Sequence, residues 1–475
     1  MLDVAVIGGG VSGLATAFDL MRRGHRVAVL ERQVRPGGNA ISERLGGFLM
    51  EHGPSTVASA SAVAGDFSRR LDLSDERCDL GDRVRRRYLV GDGSLRGIAV
   101  HPLGFILSGH LSFKARMRMI AEFAVPRGGG EREETVAEFC ARRFGPEFVD
   151  RVVDPLVGGM YAGRADEVAV GAVFPQLVRL EREYGSVAYG MLRRRWQGGR
   201  MPGSRLFSWR HGIGSLPRAL AARLGGVLHT GVTVRRVEAV SGGFRVDAGA
   251  AGTGTARGLV IATQPHVAAR LLGGVDAAAA AAAGDIDAPP LAVVFLGYER
   301  RQVAHPLDGL GFLVPRREGH AITGAQFCST MFPGRAPEGC VAVAGYFGGA
   351  RAPGLARLRA ADLAALAEGE FRELIGARGA PVVARVRHWP VGLPQYRIGH
   401  ERRTAALREA ERRRPGLFAT GNYFAGPSVA ACLEQARDTS ARADAFLLGA
   451  RGDRERLRAV SGELTDVKER VPRSP

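Results

Sequence analysis

Three observations predict an α/β fold for this 475-residue chain. A strand, a glycine turn, a helix and a second strand open it. Strands that return near 260 and 417 complete a sheet interrupted by an insertion. Further strands between 291 and 347 build a second sheet. The architecture is therefore a discontinuous, Rossmann-like nucleotide-binding domain joined to a mixed α+β domain and a helical insertion. The nucleotide domain takes residues 1–60, 201–270 and 401–450, the helical region 61–200, the sheet domain 271–400, and a charged tail 451–475.

Each element follows from its pattern. Residues 3–7, DVAVI, are a short apolar run that reads as a buried parallel strand. Gly8 to Gly13 form the turn, SGLATAFDLMRRG reads as a helix ending at Gly24, and HRVAVLE is the next strand, making one βαβ unit. The stretch from about 60 to 200 reads as helical and basic, with an exposed loop at 126–134 (PRGGGEREE). Strand patterns resume at VLHTGVTVRRVEAV, FRVDA and LVIAT. The alanine run after Asp276 is a helix former, ended by Pro289 and Pro290. GLFATGN (416–422) is the last strand, and a helix from about Val429 to Leu448 precedes a loose tail.

Composition narrows the function classes. Sixty-six Lys and Arg against 48 Asp and Glu give a formal net charge of +18, nearly all of it from Arg. A basic surface suits nucleic acid, an anionic membrane or an acidic substrate. No nucleic-acid-binding motif accompanies it, so nucleic acid is not assigned as a partner. Cys78, Cys140, Cys328, Cys340 and Cys432 are scattered and never form a CxxC pair, which points to a reducing compartment and against zinc or a disulfide framework. No secretory leader is read at MLDVAVIGGG, and the apolar runs fall short of the ~18 residues that a span needs. A cytoplasmic protein, soluble or lying on a membrane surface, is expected.

The most informative motif is GGGVSG, which sets Gly8, Gly10 and Gly13 in G-x-G-x-x-G spacing. Gly8 permits the tight turn, Gly10 lets backbone approach a pyrophosphate, and Gly13 lets the helix pack on the strand. The helix N-terminus then faces the phosphates with unpaired N–H groups. Glu31, closing the second strand, is placed to accept ribose hydroxyls.

Beyond Glu31 the chain reads RQVRPGGNA and then GGFLMEHGPST (46–56). Together these resemble the opening of the amine oxidase superfamily of flavoproteins, and the resemblance selects FAD. It places Arg32, Gly37 and Gly38 around the pyrophosphate and flavin. GLFATGNYFAGPSVAACLEQA resembles the superfamily's closing segment. By that match Gly421 and Asn422 end a strand, and the helix from Val429 begins beneath the flavin. Val234, in the strand of GVTVRRV, matches a backbone contact to adenine, and Trp389 walls the flavin or is ordinary core. Relatives that bind flavin covalently need a cysteine shortly before their last strand; none stands there, so the FAD is expected to be non-covalent.

The blocks VDPLVGGMYAGRADEVAVGAVFPQLVRLEREYGSV (153–187), LFSWRHGIGSLPRAL, FCSTMFPGRAP and LPQYRIGH resemble, in order, the oxygen-dependent protoporphyrinogen oxidase family. The resemblance implies a porphyrinogen substrate, oxidised by six electrons in three two-electron steps, with molecular oxygen reoxidising the flavin to give hydrogen peroxide. The flavin carries the chemistry, and no catalytic side chain and no metal is assigned. Arg87 in RRRYLV matches the guanidinium that receives a propionate, against the alternative of a solvated charge run with Arg85 and Arg86. Gly159 in VGGMYAG matches a glycine whose carbonyl faces a pyrrole N–H, or is a plain turn glycine. Leu313 and Phe332 match apolar residues that sandwich the macrocycle, or are core. His211 and His400 lie inside these blocks but read as structural. DPLVGG and SWRHG depart from the family's usual wording, which leaves open protoporphyrinogen or, alternatively, coproporphyrinogen III. Finally, HPLGFILSGHLSFKARMRMIAEFAVP (101–126) mixes apolar residues with Lys114, Arg116 and Arg118. The resemblance implies docking on a membrane, and an amphipathic helix covering the core fits the same composition.

Overall fold

The structure is a computed structural model that describes residues 1–98, 109–128, 132–196 and 205–469. Parts of the expected loop at 126–134, of the segment 101–126 and of the tail lie outside the described residues.

Strand β1 (Leu2–Ile7), helix α1 (Val11–Arg22) and strand β2 (Val27–Glu31) form the expected βαβ unit. β1 is flanked by β2 on one side and by Thr253–Ile261 on the other, both parallel to it. Leu228–Thr230 extends the sheet beyond β2. Gly243–Asp247 and Arg236–Val240 extend it antiparallel from Thr253–Ile261. The last strand, Leu417–Ala419, pairs in parallel with Leu259–Ile261. Val4, Val6 and Val29 pack one face of the sheet against α1 and the C-terminal helix (Val429–Glu469). Ala5, Ile7 and Leu259 pack the other face against Pro265–Leu272, Ala277–Gly284 and His400–Arg413.

The second sheet runs in the order Val383–Trp389, Leu291–Glu299, Cys340–Gly348, Gly324–Gln326, Gly309–Leu313, Arg86–Gly91, Ser94–Ile98. Alternation along its strands sorts its two faces. Tyr88, Phe312, Ala325 and Val343 face the helix Ala360–Ile375. Val293, Phe295, Ala342 and Ala344 face the other way, with Tyr346 and Trp389 beside them, toward Phe48 and Met50.

Three expectations are corrected. Residues 86–98 were read as part of a helical stretch, yet they form a β-hairpin, because pairing with Gly309–Leu313 supplies a ladder that local composition does not announce. Val234 lies in the connection before Arg236 and not in a strand; its apolar side chain is buried and its carbonyl accepts from Arg270 at 3.5 Å. The last helix runs on to Glu469, past the expected end at Leu448.

Candidate functional site

The glycine turn has little freedom. Gly8 sits at φ 110°, and a Cβ there would stand 2.5 Å from the Ala262 carbonyl oxygen. A Cβ on Gly13 would overlap the Gly8 carbonyl oxygen. Gly10 differs, since a Cβ there would meet nothing within 4 Å. That open space lies at the start of α1, where the N–H groups of Val11, Ser12 and Gly13 have no acceptor among the described residues. Turn and helix end thus leave a cradle for an anion.

Glu31 ties the turn to the next loop. Its carboxylate accepts from the Gly9 N–H at 2.6 Å and from the Gln33 N–H at 2.7 Å. Each oxygen keeps a further lone pair for a ribose hydroxyl. The Gly37 N–H donates to the Gly9 carbonyl at 2.7 Å, and a Cβ on Gly38 would come to 3.1 Å from the Gly10 Cα. The two glycine pairs are therefore stacked backbone on backbone. Arg32 is exposed. Arg35, which the motifs did not single out, reaches back over this loop to the Pro36 and Gly38 carbonyls at 3.3 and 3.4 Å. Burial, and then the nearby charge of Arg387, lower its pKa.

At the far end of the sheet, Gly421 takes φ 147° in the turn after Leu417–Ala419. The Asn422 carbonyl accepts from the Tyr396 hydroxyl. Val429 starts the long helix and is buried against the α1 side of the sheet. Trp389 is half-buried, donates to the His52 carbonyl at 2.6 Å, and carries the Arg387 guanidinium 4.5 Å over its ring.

On the second sheet the structure brings Gly159 and Leu313 together. Helix Asp154–Tyr161 sets Gly159 so close to the Leu313 side chain that a Cβ would overlap it. A π-helical turn, Val149–Val153, leads into this helix; such turns are frequent at functional sites. Arg351 locks the arrangement, donating to the Val314 carbonyl at 2.8 Å, the Asp154 carbonyl at 2.7 Å and the Asp154 carboxylate at 2.9 Å. Leu89 pairs with Leu313, and Arg87 lies two residues before it on the same face. Arg87 is exposed and has no ion-pair partner among the described residues, whereas its neighbour Arg86 reaches Asp308 at 3.5 Å. Phe332 is 2% exposed and packs under the Arg335 guanidinium at 5.3 Å, so in this structure it is covered.

A buried ion pair joins the two halves. Arg335 meets Glu51 at 2.9 Å and donates to the Ser208 hydroxyl at 2.9 Å. Glu51 also accepts from Ser42 and from the Ile213 N–H. Three donors favour its charged form, yet burial dominates and raises its pKa to about 7. Neither residue was found from sequence, because 284 positions separate them.

Comparison with known proteins agrees with this geometry. The family model described as flavin containing amine oxidoreductase matches residues 11–443. The chloroplastic protoporphyrinogen oxidase of Oryza sativa subsp. japonica is 30% identical over 94% of this chain and 88% of its own length. The coproporphyrinogen III oxidase of Bacillus subtilis is 25% identical over 91% of this chain and 96% of its own. A solved structure from Exiguobacterium, provisionally titled a protoporphyrinogen oxidase, superposes with a TM-score of 0.80 at 21% identity, covering 94% of this chain and 98% of that one. The chain belongs to the flavin containing amine oxidoreductase family. It is an FAD-dependent oxidase, and the open space at Gly10, the stacked glycine loops and the free N–H groups at α1 fit that cofactor.

Proposed function

We propose that the chain oxidises protoporphyrinogen IX to protoporphyrin IX, with molecular oxygen as the final acceptor. The observation that carries this reading is the meeting of Gly159 with Leu313 of the second sheet, with Arg87, which has no ion-pair partner among the described residues, on the same sheet face as Leu313. When bound, FAD would supply the two-electron acceptor. Gly8, Gly10, Gly13, Gly37 and Gly38 hold the dinucleotide by main chain, Glu31 its ribose, and Gly421, Asn422 and Val429 the flavin end. The Gly159 carbonyl orients a pyrrole N–H, Leu313 covers the macrocycle, and Arg87 receives a propionate. Two carboxylates or four separate this substrate from coproporphyrinogen III, and the relatives carry both names. Turnover of each porphyrinogen, followed by porphyrin fluorescence, tests the choice; faster reaction of the tetracarboxylate overturns it.

Membrane attachment belongs to the same proposal. Helix Phe113–Ile120 and the turn after it expose Phe113, Met117, Ile120 and Phe123 along one face. Leu156 and Met160 on helix Asp154–Tyr161, and Tyr189, Leu192 and Trp196 on helix Val187–Trp196, are exposed as well. Apolar side chains with Lys114 and Arg116 beside them suit an anionic interface. Among the described residues no helix is long and apolar enough to cross a membrane. Co-sedimentation with vesicles that contain anionic lipid, lost in a Phe113→Ser/Phe123→Ser variant, is the expected result. Equal recovery of both proteins refutes the docking face.

A further inference from the structure

The turn from Thr420 to Phe424 has a polarised backbone. Thr420 donates to the Ile261 carbonyl at 3.0 Å, and Phe424 to the Gly421 carbonyl at 3.4 Å. Between them, the N–H groups of Gly421, Asn422 and Tyr423 have no acceptor among the described residues. The carbonyls of the same stretch are tied from behind. The Tyr396 hydroxyl donates to the Asn422 carbonyl, and His400 Nε2 to the Tyr423 carbonyl at 2.8 Å. Successive N–H groups without an acceptor of their own are the donor set from which an oxygen- or anion-binding nest is built.

The two donors are themselves rigidly set. Tyr396 is 1% exposed and His400 2%, with ring centroids 4.7 Å apart. Tyr161 packs edge-on against Tyr396 at 5.6 Å, and its carbonyl accepts from the Gln395 amide at 3.1 Å. Tyr161 closes the helix that carries Gly159. Burial lowers the His400 pKa, which keeps the ring neutral and Nε2–H a donor. Gln395 Oε1, His400 Nδ1, Thr420 Oγ1 and the Tyr423 hydroxyl are all buried without a hydrogen-bond partner among the described residues. Unsatisfied atoms gathered in two short segments mark a place shaped for something other than stability.

We propose that Tyr396 and His400 are positioning residues: by holding the Asn422 and Tyr423 carbonyls away, they keep three N–H groups aimed at the flavin and set how readily it is reduced. This rests on the reading that FAD lies over this turn. Without the Tyr396 hydroxyl the Asn422 peptide can turn its carbonyl toward the ring, which opposes the negative charge gained on reduction.

The test uses FAD-loaded protein and reads no turnover. Tyr396→Phe keeps the ring packing and removes the bond. Its flavin should remain bound, show a shifted absorbance spectrum, and be about tenfold harder to reduce, or about 30 mV more negative for a two-electron couple. His400→Gln, which retains a donor, should keep the wild-type potential, and His400→Leu should lower it. An unchanged spectrum and potential in Tyr396→Phe overturn the proposal. If Tyr396→Phe holds no FAD, the His400 pair decides: a lower potential for Leu than for Gln supports the proposal, and equal values overturn it. Wild-type protein that binds no FAD at all would instead remove the cofactor reading, a distinct failure.

Discussion

Around Gly8–Gly13 and Gly37–Gly38 the site is made of main chain, with glycines stacked backbone on backbone and donors supplied by N–H groups. On the second sheet the proposed site relies on the side chains of Arg87 and Leu313, brought to one face by strands remote in sequence, and on one helix glycine, Gly159. Main chain cannot yield to an added atom, whereas a side chain can change rotamer. The proposed cofactor half should therefore fail abruptly under substitution, and the proposed substrate half by degrees.

The sharpest test is Gly13→Ala. Its methyl meets the Gly8 carbonyl, which is held in the turn, so a stability loss of at least about 3 kcal/mol is expected. Denaturant melts and the flavin content of purified protein report it. Gly10→Ala is the matching control: with open space around it, stability should stay within about 0.5 kcal/mol while FAD affinity falls. A Gly10→Ala protein that binds FAD like wild type would show that the pyrophosphate does not pass there.

Arg335→Met probes the seam between the halves. It leaves Glu51 and the Ser208 hydroxyl without their donor, at a cost of about 3 kcal/mol. The value is at the low end for a broken buried pair because Glu51, already raised to about 7, can take up a proton instead. Melts that match wild type would mean the seam is not held by this pair.

Arg87→Ala should act on substrate affinity alone, by about tenfold in KM, the lower end for a charge-assisted bond, since the side chain is exposed. Arg87→Lys should recover only part of this, for want of the planar fork. Equal losses in Arg85→Ala and Arg86→Ala would reduce the effect to general electrostatic attraction.

The smallest effect is a pH dependence. Burial lowers the pKa of His305, whose Nδ1 accepts from the Leu307 N–H at 3.0 Å and is therefore unprotonated. With the folded pKa below the unfolded value of about 6.5, the unfolded chain takes up the proton first. Stability is then lost as pH falls below about 6.5. Urea midpoints across that range should drop less steeply for His305→Gln than for wild type; parallel slopes would clear His305.

What the amino-acid order revealed follows the same division. Gly8, Gly10, Gly13 and Glu31 were legible because they lie within one βαβ unit and their spacing is the geometry. Gly159 and Leu313 came only by resemblance, and their contact became visible once helix and sheet were placed. The hairpin at 86–98 stayed hidden because its strands are short and charged, and their ladder comes from elsewhere. Glu51 with Arg335, and Tyr396 with Asn422, pair residues whose identities say nothing about each other until the chain is folded.

The nucleotide sheet also constrains how the protein is born. β1 can pair with β2 early, but its second neighbour arrives only with residues 253–261, and the sheet is finished by Leu417–Ala419. The helix that shields α1 comes later still, with Thr16 donating to the Ala436 carbonyl at 3.4 Å. A nascent chain stalled before about residue 417 has its glycine turn but not the strand or the helix that completes the cofactor's bed. Flavin loading is thus expected only of the finished polypeptide, and chains truncated before residue 417 should purify without yellow colour.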